Sequence, residues 1–86
     1  MKKEIQKTVI SYPIYRKWGG YVYYKVVSSK QMIKVENFSY YSKAIEFNPL
    51  TNMAFSDKTE ESSKKEFDMA YTDVMRYFKS LEKTYE

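Results

Sequence analysis

Along the last third of this 86-residue chain, Phe67, Ala70, Tyr71, Val74, Phe78, Leu81 and Tyr85 recur at spacings of three and four. That spacing draws one apolar stripe down a helix about five turns long. Such a helix is stable only when something covers the stripe, so the rest of the chain must supply a complementary surface. Asp57 with Glu60 three residues later matches a capping box, in which the Asp57 carboxylate accepts from the open amides of the first turn. Glu60 and Glu61 suit the positive start of a helix, and Lys79 and Lys83 its negative end. The spacing therefore predicts a helix over 57–85. Burying Phe67, Val74, Phe78 and Leu81 contributes about 1.5 to 3 kcal/mol each before entropy is subtracted.

The covering surface is sought upstream. From Glu4 to Phe38 the chain is rich in Val, Ile, Tyr and Thr and is interrupted at Trp18-Gly19-Gly20 and at Ser28-Ser29-Lys30-Gln31. This reads as three strands and two tight turns. Side chains alternate with period two, so each loop length fixes which residues share a face. A two-residue Ser29-Lys30 loop sets Val22, Tyr24 and Val26 opposite Asn37, Val35 and Ile33. A three-residue Trp18-Gly19-Gly20 loop, with a glycine in the left-handed position, sets Ile14, Tyr12 and Ile10 opposite Tyr24, Val26 and Ser28. The helix is then expected to cover a face of Ile10, Tyr12, Ile14, Val22, Tyr24, Val26, Ile33 and Val35. Pro13 lacks a ladder donor, which places the first strand at an edge or puts Pro13 on a non-bonding side, and a meander with that strand outermost satisfies this.

Lys43–Phe47 and Met53–Phe55 flank the turn-rich Asn48-Pro49-Leu50-Thr51-Asn52 and read as a second short hairpin. A short helix through Tyr40, Tyr41, Ala44 and Ile45 is the alternative. The expected fold is α+β: an antiparallel meander of three to five strands packed on one face by a single long C-terminal helix. One domain over 1–86 is predicted, divided into a strand-rich basic part, 4–56, and the amphipathic helix, 57–85.

Composition limits the chemistry. The chain has no histidine and no cysteine, which removes imidazole bases, thiolate nucleophiles, disulfides and every Cys/His metal site. Asp57, Glu60 and Glu61 suggest Mg²⁺ only in the abstract, since capping and the helix dipole already account for them. No enzyme, cofactor or metal is expected. Glu66, Asp68 and Asp73 read as a solvated helix face, with Asp73 and Arg76 spaced as an ion pair. The start of the chain does not read as a signal peptide and no stretch is apolar enough to span a bilayer, so the expectation is a cytoplasmic protein.

Charge is uneven. Residues 1–47 hold nine Lys/Arg against three acids, a net +6, whereas residues 48–86 hold six against eight, a net −2. A basic half steers polyanions or acidic protein surfaces toward itself. The sheet face opposite the helix is expected to carry Tyr15, Lys17, Tyr21, Tyr23, Lys25, Lys34, Glu36 and Phe38, a mixture of rings and cations. Such a face suits base stacking with phosphate neutralisation, or aromatic anchoring on a protein. Trp18, at a Gly-Gly turn beside Arg16, is either a lid on a small core or an anchor on a protrusion.

The expected partner-binding residues are thus Tyr15, Arg16, Lys17, Trp18, Tyr21, Tyr23, Lys25, Lys34 and Phe38. The order of three strands and one helix resembles small three-stranded DNA-binding domains of plant transcription factors and integrase arm-binding domains. Those domains carry dense arginine on the groove-facing strands, and this chain has two arginines in all. In size and plainness it is similar to phage-encoded inhibitors such as anti-CRISPR proteins. The reading is a small non-catalytic binding protein, an inhibitor or regulator of a nucleic-acid-handling partner. The alternatives are a direct DNA or RNA binder using the aromatic/Lys face, and a homo-oligomer whose open face is a subunit interface.

Overall fold

The computed structural model describes residues 11–39 and 42–85. The strands are β1 (Ile14–Trp18), β2 (Val22–Ser28), β3 (Gln31–Ser39), β4 (Ser42–Asn48) and β5 (Glu60–Glu61), followed by the helix α1 (Lys64–Tyr85). They form one antiparallel sheet in the order β4-β3-β2-β1-β5. The helix packs on one face, giving the α+β arrangement expected from the sequence. A 3-10 turn, Thr51–Phe55, lies against the other face.

The hairpins turn where the composition placed them, yet one residue changes the faces. Ser28 pairs with Gln31 across Ser29-Lys30, and then a β-bulge between Val26 and Ser28 shifts the ladder by one. Tyr24 consequently faces Lys34 and Val26 faces Met32, instead of Val35 and Ile33. A shift of one residue moves a strand's entire set of side chains to the other face. Val22, Tyr24 and Val26 therefore join Met32 and Ala54, with Ile14 and Met53 packed alongside, in a core beneath the 3-10 turn. The helix covers the opposite face: Val35, Phe67, Ala70 and Val74 are buried there, with Tyr15, Tyr23, Ile33, Ile45 and Phe78 around them. The expected helix-covered face is thus split between two cores. Its Tyr12 is exposed, and Ile10 lies outside the described residues, as does the start of the first predicted strand.

The β1–β2 connection is three residues long, as expected, but centred one residue later. Trp18 pairs with Val22, leaving Gly19-Gly20-Tyr21 as the loop, and Gly19 takes the left-handed conformation at φ +59°. β1 is not an edge strand, because β5 pairs with it through Arg16–Glu61 and Lys17–Glu60. Pro13 causes no conflict, since β1 begins one residue after it.

Lys43–Phe47 is strand, as predicted, but it belongs to β4 and pairs with β3. Met53–Phe55 is part of the 3-10 turn rather than a partner strand. Of the alternative helix, Ala44 and Ile45 are strand, and Tyr40 and Tyr41 lie outside the described residues.

The helix starts at Lys64, seven residues later than expected. Glu60 and Glu61 instead satisfy their backbone on β1, a pairing prolonged by the Ser62 amide donating to the Tyr15 carbonyl at 3.0 Å. The cap is Ser63, whose hydroxyl accepts from the Glu66 amide at 3.1 Å. Ser63 and Glu66 have the same three-residue spacing as Asp57 and Glu60, so two sites compete for the helix start. The edge of β1 decides between them. From there α1 crosses the strands: Phe67 lies against Tyr15 on β1, Asp73 reaches Asn37 on β3 and Lys43 on β4, and Phe78 packs with the cluster containing Ile45.

Phe67 fills the helix-side core, whereas Phe47 is 63% exposed on β4. Phe67→Ala is expected to cost about 3 to 5 kcal/mol. Phe47→Ala is expected to stay within about 0.5 kcal/mol of the parent. Urea unfolding followed by circular dichroism compares the two; equal losses would contradict the placement of α1.

Candidate partner-binding site

At the end of the sheet, three rings meet. The β1–β2 loop is closed by the Tyr21 amide donating to the Trp18 carbonyl at 3.4 Å, and it is tied to β3 by the Asn37 amide donating to the Tyr21 carbonyl at 2.7 Å. A second bulge lies between Asn37 and Ser39, so Phe38 is the extra residue there. Bulges re-aim side chains, and Phe38 comes to lie against the loop. Tyr21 stacks on it with ring centres 5.6 Å apart and planes 11° from parallel, and Trp18 meets it edge-on at 6.3 Å. The rings remain 43% (Trp18), 52% (Tyr21) and 41% (Phe38) exposed. A side chain at Gly19 would take a strained φ and crowd the Tyr21 ring at 3.3 Å. Trp18 is therefore part of a protruding ring cluster and not a lid on the core.

The other expected site residues lie elsewhere. Tyr15 and Lys17, with Tyr23 and Lys25 paired to them across β1 and β2, lie on the face under α1. Tyr15 packs on Phe67 at 5.9 Å, and the Tyr23 hydroxyl donates to the Gly20 carbonyl at 3.3 Å. Lys17 pairs with Glu66 at 3.1 Å, and this bond holds its ammonium above the usual lysine value. Lys25 is half-buried and makes no ion pair among the described residues.

Arg16 points to the other face and secures the 3-10 turn. Its Nε donates to the Ala54 carbonyl at 3.0 Å, its terminal nitrogen donates to Thr59 O at 3.2 Å and Oγ1 at 3.0 Å, and its guanidinium lies 5.6 Å from the Phe55 ring centre. Lys34 sits between Glu36 at 3.0 Å and Glu46 at 3.8 Å, with its side chain 15% exposed. The Glu36 hydrogen bond raises its pKa in spite of the opposing effect of burial. Arg16, Lys17 and Lys34 are thus engaged inside the molecule. Of the nine expected residues, only Trp18, Tyr21 and Phe38 come together as an exposed group.

Glu66 and Asp73 keep solvent contact, with side chains 44% and 49% exposed, as expected of a solvated face, and also hold the helix to the sheet. Asp73 accepts from the Asn37 amide nitrogen at 3.1 Å and pairs with Lys43 at 3.5 Å, and Lys43 also donates to Asn37 Oδ1. Arg76 adds the expected i,i+3 pair at 3.7 Å. These groups line an open groove of about 530 Å³ that runs from Phe38 along α1 past Tyr77 and Ser80. Asn37 and Lys43 carried no recognisable spacing in the sequence; their meeting with Asp73 depends on where α1 crosses the sheet. Among the described residues no three acidic side chains converge as a metal site, and no helix is long and apolar enough to cross a membrane. Comparison with protein-family models, curated proteins and solved structures finds no match.

Two predictions follow from these contacts. Hydrogen bonds from Ser62 and then Lys17 lower the Glu66 pKa, and the hydrogen bond from Asn37, followed by the charge of Lys43, lowers that of Asp73. Their contribution to stability is full above the ordinary carboxylate values and is lost as pH falls through the lowered folded-state values. Glu66→Gln with Asp73→Asn should flatten the acid limb of Tm against pH; an unchanged acid limb would show that these contacts do not hold α1. Arg16→Lys removes the forked donor shared by the Ala54 and Thr59 carbonyls, of which Ala54 O keeps only the Thr59 hydroxyl, and a loss of about 1 to 3 kcal/mol is expected in urea unfolding.

Proposed function

We propose that this chain is a small non-catalytic binding protein that docks on a protein partner through Trp18, Tyr21 and Phe38. The observation that carries the reading is the stacked, exposed ring cluster, held by a glycine turn and a bulge. Tryptophan and tyrosine are enriched among residues that dominate binding energy, and a prearranged cluster loses little side-chain entropy on docking. The engaged state of Arg16, Lys17 and Lys34 favours a protein over nucleic acid, because phosphate contacts at this face would compete with their internal acceptors. The net charge of +4 suits a partner with an acidic surface. We assign the chain to the inhibitor or regulator type, with a nucleic-acid-handling protein as the target class, because the phosphates bound by such a partner attract a basic body.

The test is a pull-down from the native host with the parent chain and with Trp18→Ala and Phe38→Ala, identifying both protein and nucleic acid. Loss of a specific protein partner from both variants, with unchanged circular dichroism, is expected, and binding should depend weakly on salt. Oligonucleotide binding that falls log-linearly with salt would instead make the chain a direct nucleic-acid binder. Full retention of the partner by both variants would remove the ring cluster from the interface.

A further inference from the structure

One flank of α1 is left uncovered. Lys65, Met69, Thr72 and Arg76 follow one another at spacings of four, three and four, so they form a single exposed stripe three turns long beside the buried one. The stripe borders an open groove of about 860 Å³ between helix and sheet, lined also by Tyr23 on β2, Asn37 on β3 and Ala70. This groove shares Asn37, Asp73 and Arg76 with the smaller one that begins at Phe38, so it is continuous with the ring cluster. Met69, in the middle of the stripe, is 63% exposed. We propose that an acidic amphipathic helix of the protein partner lies in this groove alongside α1, with its apolar residues on Met69, Ala70 and Tyr23 and its carboxylates on Lys65 and Arg76; this rests on the reading of the chain as a protein that docks on another protein.

Charge singles out an acidic occupant. Three acids line the groove and each already has a partner: Glu66 accepts from Ser62 and pairs with Lys17, Asp68 pairs with Lys64, and Asp73 accepts from Asn37 and pairs with Lys43. The two cations of the stripe are less engaged. Lys65 makes no ion pair among the described residues. Arg76, with its side chain 73% exposed, reaches only the already occupied Asp73, at 3.7 Å. They stand about 16 Å apart along the helix, with Met69 and Thr72 between them. Carboxylates therefore belong at the two ends of the occupant and apolar residues in its middle. A nucleic-acid strand carries a phosphate at every residue, and would set phosphates against Glu66, Asp68 and Asp73 as well as against the two cations.

Backbone hydrogen bonding selects a helix over a strand. β2 and β3 are interior strands whose N–H and C=O groups are committed to their neighbours, and those of α1 are committed within the helix. An extended segment in the groove would bury its own backbone groups with no ladder to join. A helix satisfies its backbone internally and presents an apolar stripe, to which an unbranched methionine adapts. With one carboxylate at each end of that stripe, about three turns apart, the charges meet Lys65 and Arg76 in either chain direction.

A displayed library of helical peptides about 18 residues long, randomised on one face, tests the proposal. Selection on the parent chain is expected to enrich apolar residues at helical spacing between acids about three turns apart. Titration with a selected peptide should shift the amide resonances of residues 65–76 and of Tyr23. Lys65→Glu with Arg76→Glu should weaken that peptide by about tenfold or more, and a peptide with lysines in place of the acids should bind this double variant more tightly than the parent. Lys30→Glu with Lys58→Glu changes the net charge equally at exposed sites that do not line the groove, and should leave the affinity within about twofold at physiological salt. Unchanged circular dichroism establishes that the variants fold. A selection that yields no binder or no enriched acids, resonance shifts away from α1, or an equal loss in the two double variants would overturn the proposal. In the native pull-down, Lys65→Glu with Arg76→Glu and Trp18→Ala should each lose the partner. Retention by the first alone strikes the groove and leaves the ring cluster, whereas retention by the second alone strikes the ring cluster.

Discussion

The extra residue at Val27 decides which side chains share a face, and the rest of the structure depends on that shift. With it, Val22, Tyr24 and Val26 line up with Met32 and are sealed by Ala54 and Met53 of the 3-10 turn. Ile33 and Val35 are left on the opposite side, with Tyr23 beside them, for α1 to cover. Both faces of a small sheet are thereby used. Burial deepens the effect on Tyr24, whose phenol is pushed above its ordinary pKa because the charged form would be poorly solvated there.

Two-sided burial also explains the fate of the charges. A lysine drawn under a helix, or between a strand and a covering turn, loses hydration that a charged partner offsets. Lys17 finds Glu66, Lys34 finds Glu36 and Glu46, Lys43 finds Asp73, and Arg16 finds the carbonyls of Ala54 and Thr59. The basic half of the sequence is accordingly less of an open cationic surface than its count suggests. What projects is aromatic, where the glycine turn and the second bulge bring Trp18, Tyr21 and Phe38 together.

Much of this was legible from the residues. The stripe from Phe67 to Phe78, the two turns, the strand at Lys43–Phe47 and the Asp73–Arg76 pair follow from local spacing and composition. The helix start was not, because Asp57 and Ser63 are both capping residues with a glutamate three positions on, and only the β1 edge favours the second. Within the site, Trp18, Tyr21 and Phe38 were among the expected residues, whereas Tyr15, Lys17, Tyr23 and Lys25 were expected on the face opposite the helix and lie on the face that α1 covers.

The α+β class, the single amphipathic helix and a chemistry without histidine or cysteine are readable from residue type and from periodicities that span a few positions. Which sheet face is covered and which charges are neutralised depends on the register and on where α1 crosses the strands. A bulge costs one residue and leaves little mark on local composition, yet with a side-chain period of two it inverts every face beyond it.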